Sequence, residues 1–335
     1  MKTIAFFNNK AGVGKTTLVY HLAWMFAERG VRTVVLDLDP QTDLTSMFLS
    51  KARLERLKKD FGQKHTVMST IARSSLETSP GKMPVPHLEF IAQNLAFVPG
   101  DLGLACMEEK LNFQWRKCLE GDYEAFQITA IFYRLIRRAS DEFGAHVALL
   151  DTEPNLSALT RSALIAADYV VMPLAPDLFS LQSLKKLGST MAKWYEEWIR
   201  RLVDAPFVPD SKTLPSDQMK PAGYILIQKA LRQNSSRRWA ERFPSAYRAA
   251  LNELEPSSKL LPEDDPNCLG QVNSYSELMP LALEAHKPIF HLKPVDGTVS
   301  GQMTVVRGAS WYFHDLTLKL TKAIGLDDLT NTLTE

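Results

Sequence analysis

The stretch NNKAGVGKTT, residues 8–17, follows directly on the apolar run TIAFF at residues 3–7. A glycine-containing turn between an apolar strand and a helix points its backbone N–H groups inward, with the positive end of the helix dipole behind them. That arrangement suits phosphate. Gly14, Lys15 and Thr16 supply the second half of the phosphate-binding pattern G-x-x-x-x-G-K-[ST]. Gly12 and Gly14 are expected to let the backbone approach the phosphates, Lys15 to reach the terminal ones, and the Thr16 hydroxyl to coordinate Mg²⁺. Two features depart from the pattern. Asn9 stands in the place of the first glycine, which is tolerable if it adopts positive φ as asparagine readily does. A second lysine, Lys10, follows it, and Ala11 is a further small residue.

Beyond the loop, short β-prone runs alternate with helix-length segments, the pattern of a mostly parallel α/β sheet with crossover helices on both faces. Candidate strands are residues 3–7, 33–38, one within 88–98, 146–150, 169–172 and 224–227, with helices over 17–29, 124–143 and 184–202. Each apolar run stops at a polar residue or proline, and in an open parallel sheet ligands bind at these carboxyl ends. Segments 74–87, 204–221 and 255–267 break the alternation with Pro, Ser, Lys or Asp and read as surface loops inserted in a single domain spanning 1–335.

The strand ends carry acids. Asp151, after HVALL, has the setting of a Walker B aspartate that holds Mg²⁺ directly or through water. Asp37 and Asp39, in VVLDLDPQ, lie where a carboxylate could orient or deprotonate an attacking water. The bulk composition excludes several other classes. With 39 basic and 38 acidic residues, the net charge of +1 leaves no overall field to drive the chain onto nucleic acid or membrane. Cys106, Cys118 and Cys268 form no C-x-x-C pair and read as buried, reduced thiols, and the seven histidines show no metal-ligand spacing. No run approaches a membrane span, so a cytoplasmic protein without a membrane partner is expected.

Taken together, NKAGVGKTT, DLDPQTDLT and HVALLDTEPNLSALTRSALIAAD resemble the loop, switch I and Walker B–switch II segments of the ParA/MinD family of deviant Walker ATPases, closest to ParA-like partitioning ATPases. YVVMPLAPDLFSLQSLKKL and, more loosely, NSYSELMPLALEAHKPIF resemble later blocks of that family. The resemblance implies a P-loop NTPase-like fold, ATP and Mg²⁺ as cofactors, and slow partner-stimulated hydrolysis of ATP to ADP and phosphate. It implies that Lys10 is the signature lysine that reaches across an ATP-sandwich homodimer to the neighbour's phosphates, a point-charge analogue of an arginine finger. By the same resemblance Lys10, Lys15 and Asp39 are the catalytic set, Asp39 activating water. Lys10, Ala11, Gly12, Val13, Gly14, Lys15, Thr16 and Thr17 bind nucleotide, and Pro176 and Gln228 lie at plausible strand ends for the base. Thr16, Asp37 and Asp151 are the metal-side residues. Three departures stand out: Ala11 replaces a glycine, Glu153 introduces a carboxylate near the phosphates, and Gln271 and Val272 replace a common Ile-Pro pair.

Residues 229–248 carry six basic side chains against Glu241. Lys229, Arg232, Arg237, Arg238, Arg242 and Arg248 could meet DNA phosphates without regard to sequence, and Lys185, Lys186, Lys193, Arg200 and Arg201 add charge on the 184–202 helix. The reading is a plasmid or chromosome partitioning, or cargo-positioning, ATPase that works with an adaptor or activator protein and can associate with the nucleoid. The alternative is an ATP switch controlling a partner enzyme in a mobile-element or defence operon without DNA binding. A third reading is a biosynthetic P-loop enzyme of the amidotransferase or ligase type, in which Lys10 has no obvious place and a small-molecule acceptor is required that the sequence does not announce. The acidic tail GLDDLTNTLTE argues against a membrane-binding terminal helix, and Trp311, Phe313, Leu316 and Leu320 are expected to form a core-facing stripe.

Overall fold

The structure, a computed structural model, describes residues 1–59, 65–74, 83–207, 210, 212–216, 219–228, 233–251, 260–273, 275 and 277–326. Its strands are β1 (Lys2–Phe6), β2 (Thr33–Leu38), β3 (Glu89–Ala92), β4 (Leu95–Val98), β5 (Val147–Thr152), β6 (Tyr169–Leu174), β7 (Lys220–Gln228) and β8 (Cys268–Asn273). They form one sheet in the order β3-β4-β2-β5-β1-β6-β7-β8, parallel throughout except for the β3–β4 edge hairpin. The helices are α1 (Lys15–Glu28), α2 (Asp43–Phe48), α3 (Lys51–Lys59), α4 (Val67–Ser74), α5 (Met107–Lys117), α6 (Tyr123–Thr129) and α7 (Ile131–Phe143). The remainder are α8 (Ala158–Ile165), α9 (Leu178–Val203), α10 (Gln233–Ala240), α11 (Phe243–Ala250), α12 (Met279–Ala285) and α13 (Ser300–Ala323).

Both faces of the sheet are covered, so its central strands are apolar on both sides. In β5, Val147 and Leu149 pack into the core with α1 and α13, while Ala148 and Leu150 pack into the opposite core with α7 to α9. β1 divides the same way, Ile4 and Phe6 against Ala5 and Phe7. Period-two alternation thus assigns side chains to one of two buried layers.

Five expectations change in detail. Of the three cysteines expected to be buried, Cys118 and Cys268 are, but Cys106 is exposed. Residues 88–98 form two strands, because the Gln93–Asn94 turn folds the segment back on itself and Asn94 is fixed by its amide donating to Ala27 O at 3.1 Å. The 124–143 helix is two helices, interrupted at Ala130 (φ −90°, ψ 20°), beside the Thr129 carbonyl that accepts the Ser162 hydroxyl at 2.7 Å. β7 begins at Lys220, inside the range 204–221 expected as loop, and parts of the 74–87, 204–221 and 255–267 segments lie outside the described residues. On α13, Phe313, Leu316 and Leu320 are buried but Trp311 is 71% exposed. Spacings of three and seven keep the first three on one face, whereas residue 311 points about 200° away from 313.

Candidate nucleotide site

The 8–17 loop joins β1 to α1 and is anchored before it turns. Phe7 N donates to Val171 O at 3.0 Å. Asn8 is fully buried; its Nδ2 donates to Pro173 O at 2.5 Å and its Oδ1 accepts Lys10 N at 3.1 Å. One side chain therefore staples the loop to the end of β6. Gly12 (φ 68°) and Gly14 (φ 98°) occupy the left-handed region that glycine enters without strain. Asn9 and Ala11 are not among the positive-φ residues. The expected αL explanation for Asn9 is thus incorrect, and because Ala11 needs no glycine-only backbone, its methyl does not oppose the loop's path.

Facing the loop are three aspartates, two of them neighbours across strands, since Asp37 of β2 is in register with Asp151 of β5. Lys15 is buried, with its ammonium hydrogen-bonded to Asp151 and 4.0 Å from Asp39 Oδ2. The Thr16 hydroxyl donates to Asp151 Oδ2 at 2.8 Å. Asp39 stands at the end of the strand with 6% exposure, and its Oδ1 accepts Gln41 N at 2.9 Å. Asp37 has a different environment. Its Oδ2 accepts both Thr45 N (2.9 Å) and Thr45 Oγ1 (2.6 Å), and its Oδ1 accepts Asp39 N at 3.2 Å. A Cβ added to Gly100 would lie 2.8 Å from its carboxyl carbon, so Asp37 is enclosed by the 99–101 turn. It anchors the start of α2.

Burial, reinforced by the charge of Asp151, pushes the Asp37 carboxyl up to about 7. Burial also pushes Asp151 up, against the pull of the Lys15 ammonium and the hydrogen bonds from Lys15 and Thr16. The donors present suit a hard cation shared with phosphate: the Thr16 hydroxyl, the Asp151 carboxylate and, farther back, Asp37. Among the described residues no group of three or more His, Cys, Asp or Glu side chains is arranged to hold a metal by itself. Phosphate oxygens and water would have to complete a magnesium shell, as Mg²⁺ ordinarily requires.

Beside the loop lies a cavity of about 470 Å³. Lys10, Ala11, Gly12, Val13, Gly14 and Thr17 form one wall; Pro176 and Asp177 flank it. Ile227, Val272, Asn273, Tyr275 and Met279 form the far end, an apolar slot with a single amide at the end of β8. Of the two residues expected near the base, Pro176 lines this cavity and Gln228 does not. Gln228 Nε2 donates to Gln271 Oε1 at 2.8 Å, and both line an adjacent cavity with Arg237 and Glu241. The strand alternates at its end, turning Ile227 inward and Gln228 aside. Asn273 and Tyr275 escape the sequence reading of the site, although both fall within NSYSELMPLALEAHKPIF, a block that resembles the family.

Lys10 also lines the cavity, with its ammonium hydrogen-bonded to Asp177 and 5.5 Å from the centre of the Phe179 ring. Glu153, expected to add a carboxylate near the phosphates, accepts the Ser157 hydroxyl and, at 3.1 Å, the Asn155 amide. Of the basic residues, Arg237 and Arg238 on α10, Arg242 just after it, and Lys185, Lys186, Lys193 and Arg200 on α9 are exposed, with Arg242 5.3 Å over the Trp239 ring. Arg248 is buried and paired with the buried Asp265, and Arg201 is buried against Trp115 at 4.2 Å, so neither is available to a surface partner. Lys229 and Arg232 lie outside the described residues.

A glycine-lysine-threonine turn between the first strand and helix of a parallel sheet, with an aspartate ending the neighbouring strand, defines a P-loop NTPase-like protein. Residues 1–203 match the AAA domain family. Protein IncC of Escherichia coli is 33% identical over 192 residues, 57% of this chain and 46% of IncC. A ParA family protein of Mycoplasma pneumoniae is 29% identical over 197 residues, 58% of this chain and 66% of that protein. The chain thus spans about half to two thirds of the length of these curated relatives. Among solved structures, protein DIP2308 of Corynebacterium diphtheriae superposes with a TM-score of 0.68 at 21% identity, covering 96% of this chain and 98% of that one. A Cyanothece McdA–ATP complex gives 0.57 at 14% identity, with 97% of each chain covered. The chain belongs to the ParA/MinD family of P-loop ATPases.

Proposed function

We propose that this chain is a ParA-like partitioning or positioning ATPase, in which Mg-ATP drives two subunits into a sandwich that binds DNA without sequence preference and dissociates on partner-stimulated hydrolysis. The observation that carries this reading is the meeting of Lys15 with Asp151 and Asp39 behind a glycine loop that lines the 470 Å³ cavity, with the second lysine, Lys10, lining the same cavity. ATP hydrolysis is general in the family, and ATP is bound in the McdA complex.

In this reading the Gly12–Thr17 loop binds the triphosphate, and Lys15 turns from Asp151 to the terminal phosphates. Magnesium, when bound, offsets phosphate charge. Thr16 and Asp151 would hold it, while Asp37, already committed to Thr45, positions switch I behind them. Asp39, oriented by Gln41 N, accepts a proton from the attacking water. Lys10 reaches the neighbour's phosphates, which couples association to the presence of ATP. Tyr275 and Met279 offer apolar contact to a base and Asn273 a hydrogen-bonding edge. The 1–335 chain acts as one ATPase unit.

Size-exclusion light scattering with ATP, ADP or no nucleotide tests this reading. The expected result is an ATP-dependent dimer that Lys10→Ala and Lys15→Ala both lose and that Asp39→Ala retains for longer, with turnover at least tenfold lower. A chain that stays monomeric at saturating ATP and magnesium even as Asp39→Ala overturns it.

A further inference from the structure

We propose that Asp177 is a positioning residue that holds Lys10 within its own subunit and sets a threshold ATP must overcome before two subunits associate; this rests on the ATP-dependent dimer proposed above. The Lys10 ammonium is hydrogen-bonded to Asp177 Oδ2 in the same chain. Asp177 is fixed independently of that contact, because it is the N-cap of α9: its Oδ1 accepts Ser180 N at 2.9 Å and its carbonyl accepts Leu181 N at 3.1 Å. Although partial burial pushes the other way, the Lys10 and Ser180 donors hold its carboxyl below the usual carboxylate range, so the group is anionic at neutral pH. The backbone at Lys10 is held too, its N–H on Asn8 Oδ1. What is free to move is the lysine side chain.

The pair is only partly shielded, with 29% of the Lys10 and 41% of the Asp177 side chain exposed. Such a contact is worth little by itself and is screened by salt. It is nonetheless strategic, since an ammonium engaged in cis is withheld from a neighbour's phosphates. A two-fold dimer must break two such pairs, so even about a threefold bias per subunit multiplies to about tenfold in the dimer dissociation constant. A triphosphate in the cavity, which Asp177 itself lines, outcompetes one carboxylate by its greater negative charge. The latch therefore holds subunits apart without nucleotide and, with ATP bound, weakens the dimer about tenfold without preventing it.

Sedimentation velocity with the non-hydrolysable analogue AMPPNP and magnesium tests the latch on the full chain. Asp177→Asn and Asp177→Ser both keep an N-cap acceptor for α9 and remove the charge. Each is expected to lower the dimer dissociation constant about tenfold at low salt, with the gain shrinking above roughly 0.5 M salt. Lys10→Ala stays monomeric with or without Asp177→Asn, because the carboxylate acts only through the lysine. An unchanged or weaker dimer in both Asp177 variants, with wild type dimerising, overturns the latch alone. Asp177→Asn promoting dimers in the Lys10→Ala background also overturns it. Wild type remaining monomeric, or Lys10→Ala dimerising as wild type does, sinks the dimer reading beneath it.

Discussion

Asp37 and Asp39 lie two residues apart at one strand end, and the fold gives them different work. Their place at the phosphate edge is legible in the sequence because β2 ends there. What the sequence does not show is that Thr45, eight residues on, returns to occupy Asp37 with two hydrogen bonds, or that Gly100 closes over it. The consequence is thermodynamic. The Asp37 carboxyl titrates near 7 when folded and at 3.8 when not, so between those values the native state binds more protons than the unfolded chain. Stability contributed by this group is full below about pH 4 and is lost as pH rises to about 7. Asp37→Asn cannot titrate. Without magnesium or nucleotide, the stability difference between variant and wild type should rise in the variant's favour by about 3 kcal/mol from pH 4 to pH 7, then level off above that. Urea denaturation across that range measures it, and a flat difference would assign Asp37 an ordinary carboxylate environment.

At the scale of elements, the periodic segments are legible and the weakly patterned ones are not. β2, β5 and β6 are apolar runs ending in Asp or Pro. β8, CLGQVN, has one β-branched residue and a glycine, and so carries little strand signal of its own. Its glycine has a physical reason, since a Cβ on Gly270 would lie 2.4 Å from the Tyr312 hydroxyl on α13. Gly188 makes the same point for helices. It lies inside α9, where α11 crosses so closely that a Cβ would sit 2.1 Å from the Ala250 carbonyl oxygen. Nothing in helical periodicity announces that approach. Gly188→Ala must push α11 away and should cost about 3 kcal/mol, overpacking against backbone being harder to relieve than against a flexible side chain. Gly308→Ala on α13, where a Cβ meets nothing within 4 Å, should stabilise by about 1 kcal/mol through helix propensity. Chemical denaturation of the pair reads both signs.

For the molecule as a whole, a net charge of +1 means that DNA affinity, if present, must come from a local surface and must be multiplied by association. Burial narrows that surface. Arg248 and Arg201, which composition counts as available, are internal, whereas Arg237, Arg238 and Arg242 remain exposed around the end of α10. Charge runs are legible in sequence but the side they face is not, because a buried arginine paired with Asp265 or stacked on Trp115 has the same one-letter code as a solvated one. Three arginines neutralise too few phosphates to hold duplex DNA at physiological salt, but a dimer doubles the count and makes the second patch's encounter intramolecular. DNA binding should therefore require ATP, not merely tolerate it. Replacing Arg237, Arg238 and Arg242 together with alanine is predicted to leave the ATP dimer intact in light scattering. It should also lower affinity for a nonspecific duplex at least tenfold and reduce the log–log salt slope by about 5, close to one unit for each of the roughly six arginine–phosphate pairings that the substitution removes from a dimer. Fluorescence anisotropy from 50 to 200 mM salt distinguishes this from the alternative: equal binding with and without ATP, or a salt slope unmoved by the triple substitution, would place any DNA contact elsewhere on the chain.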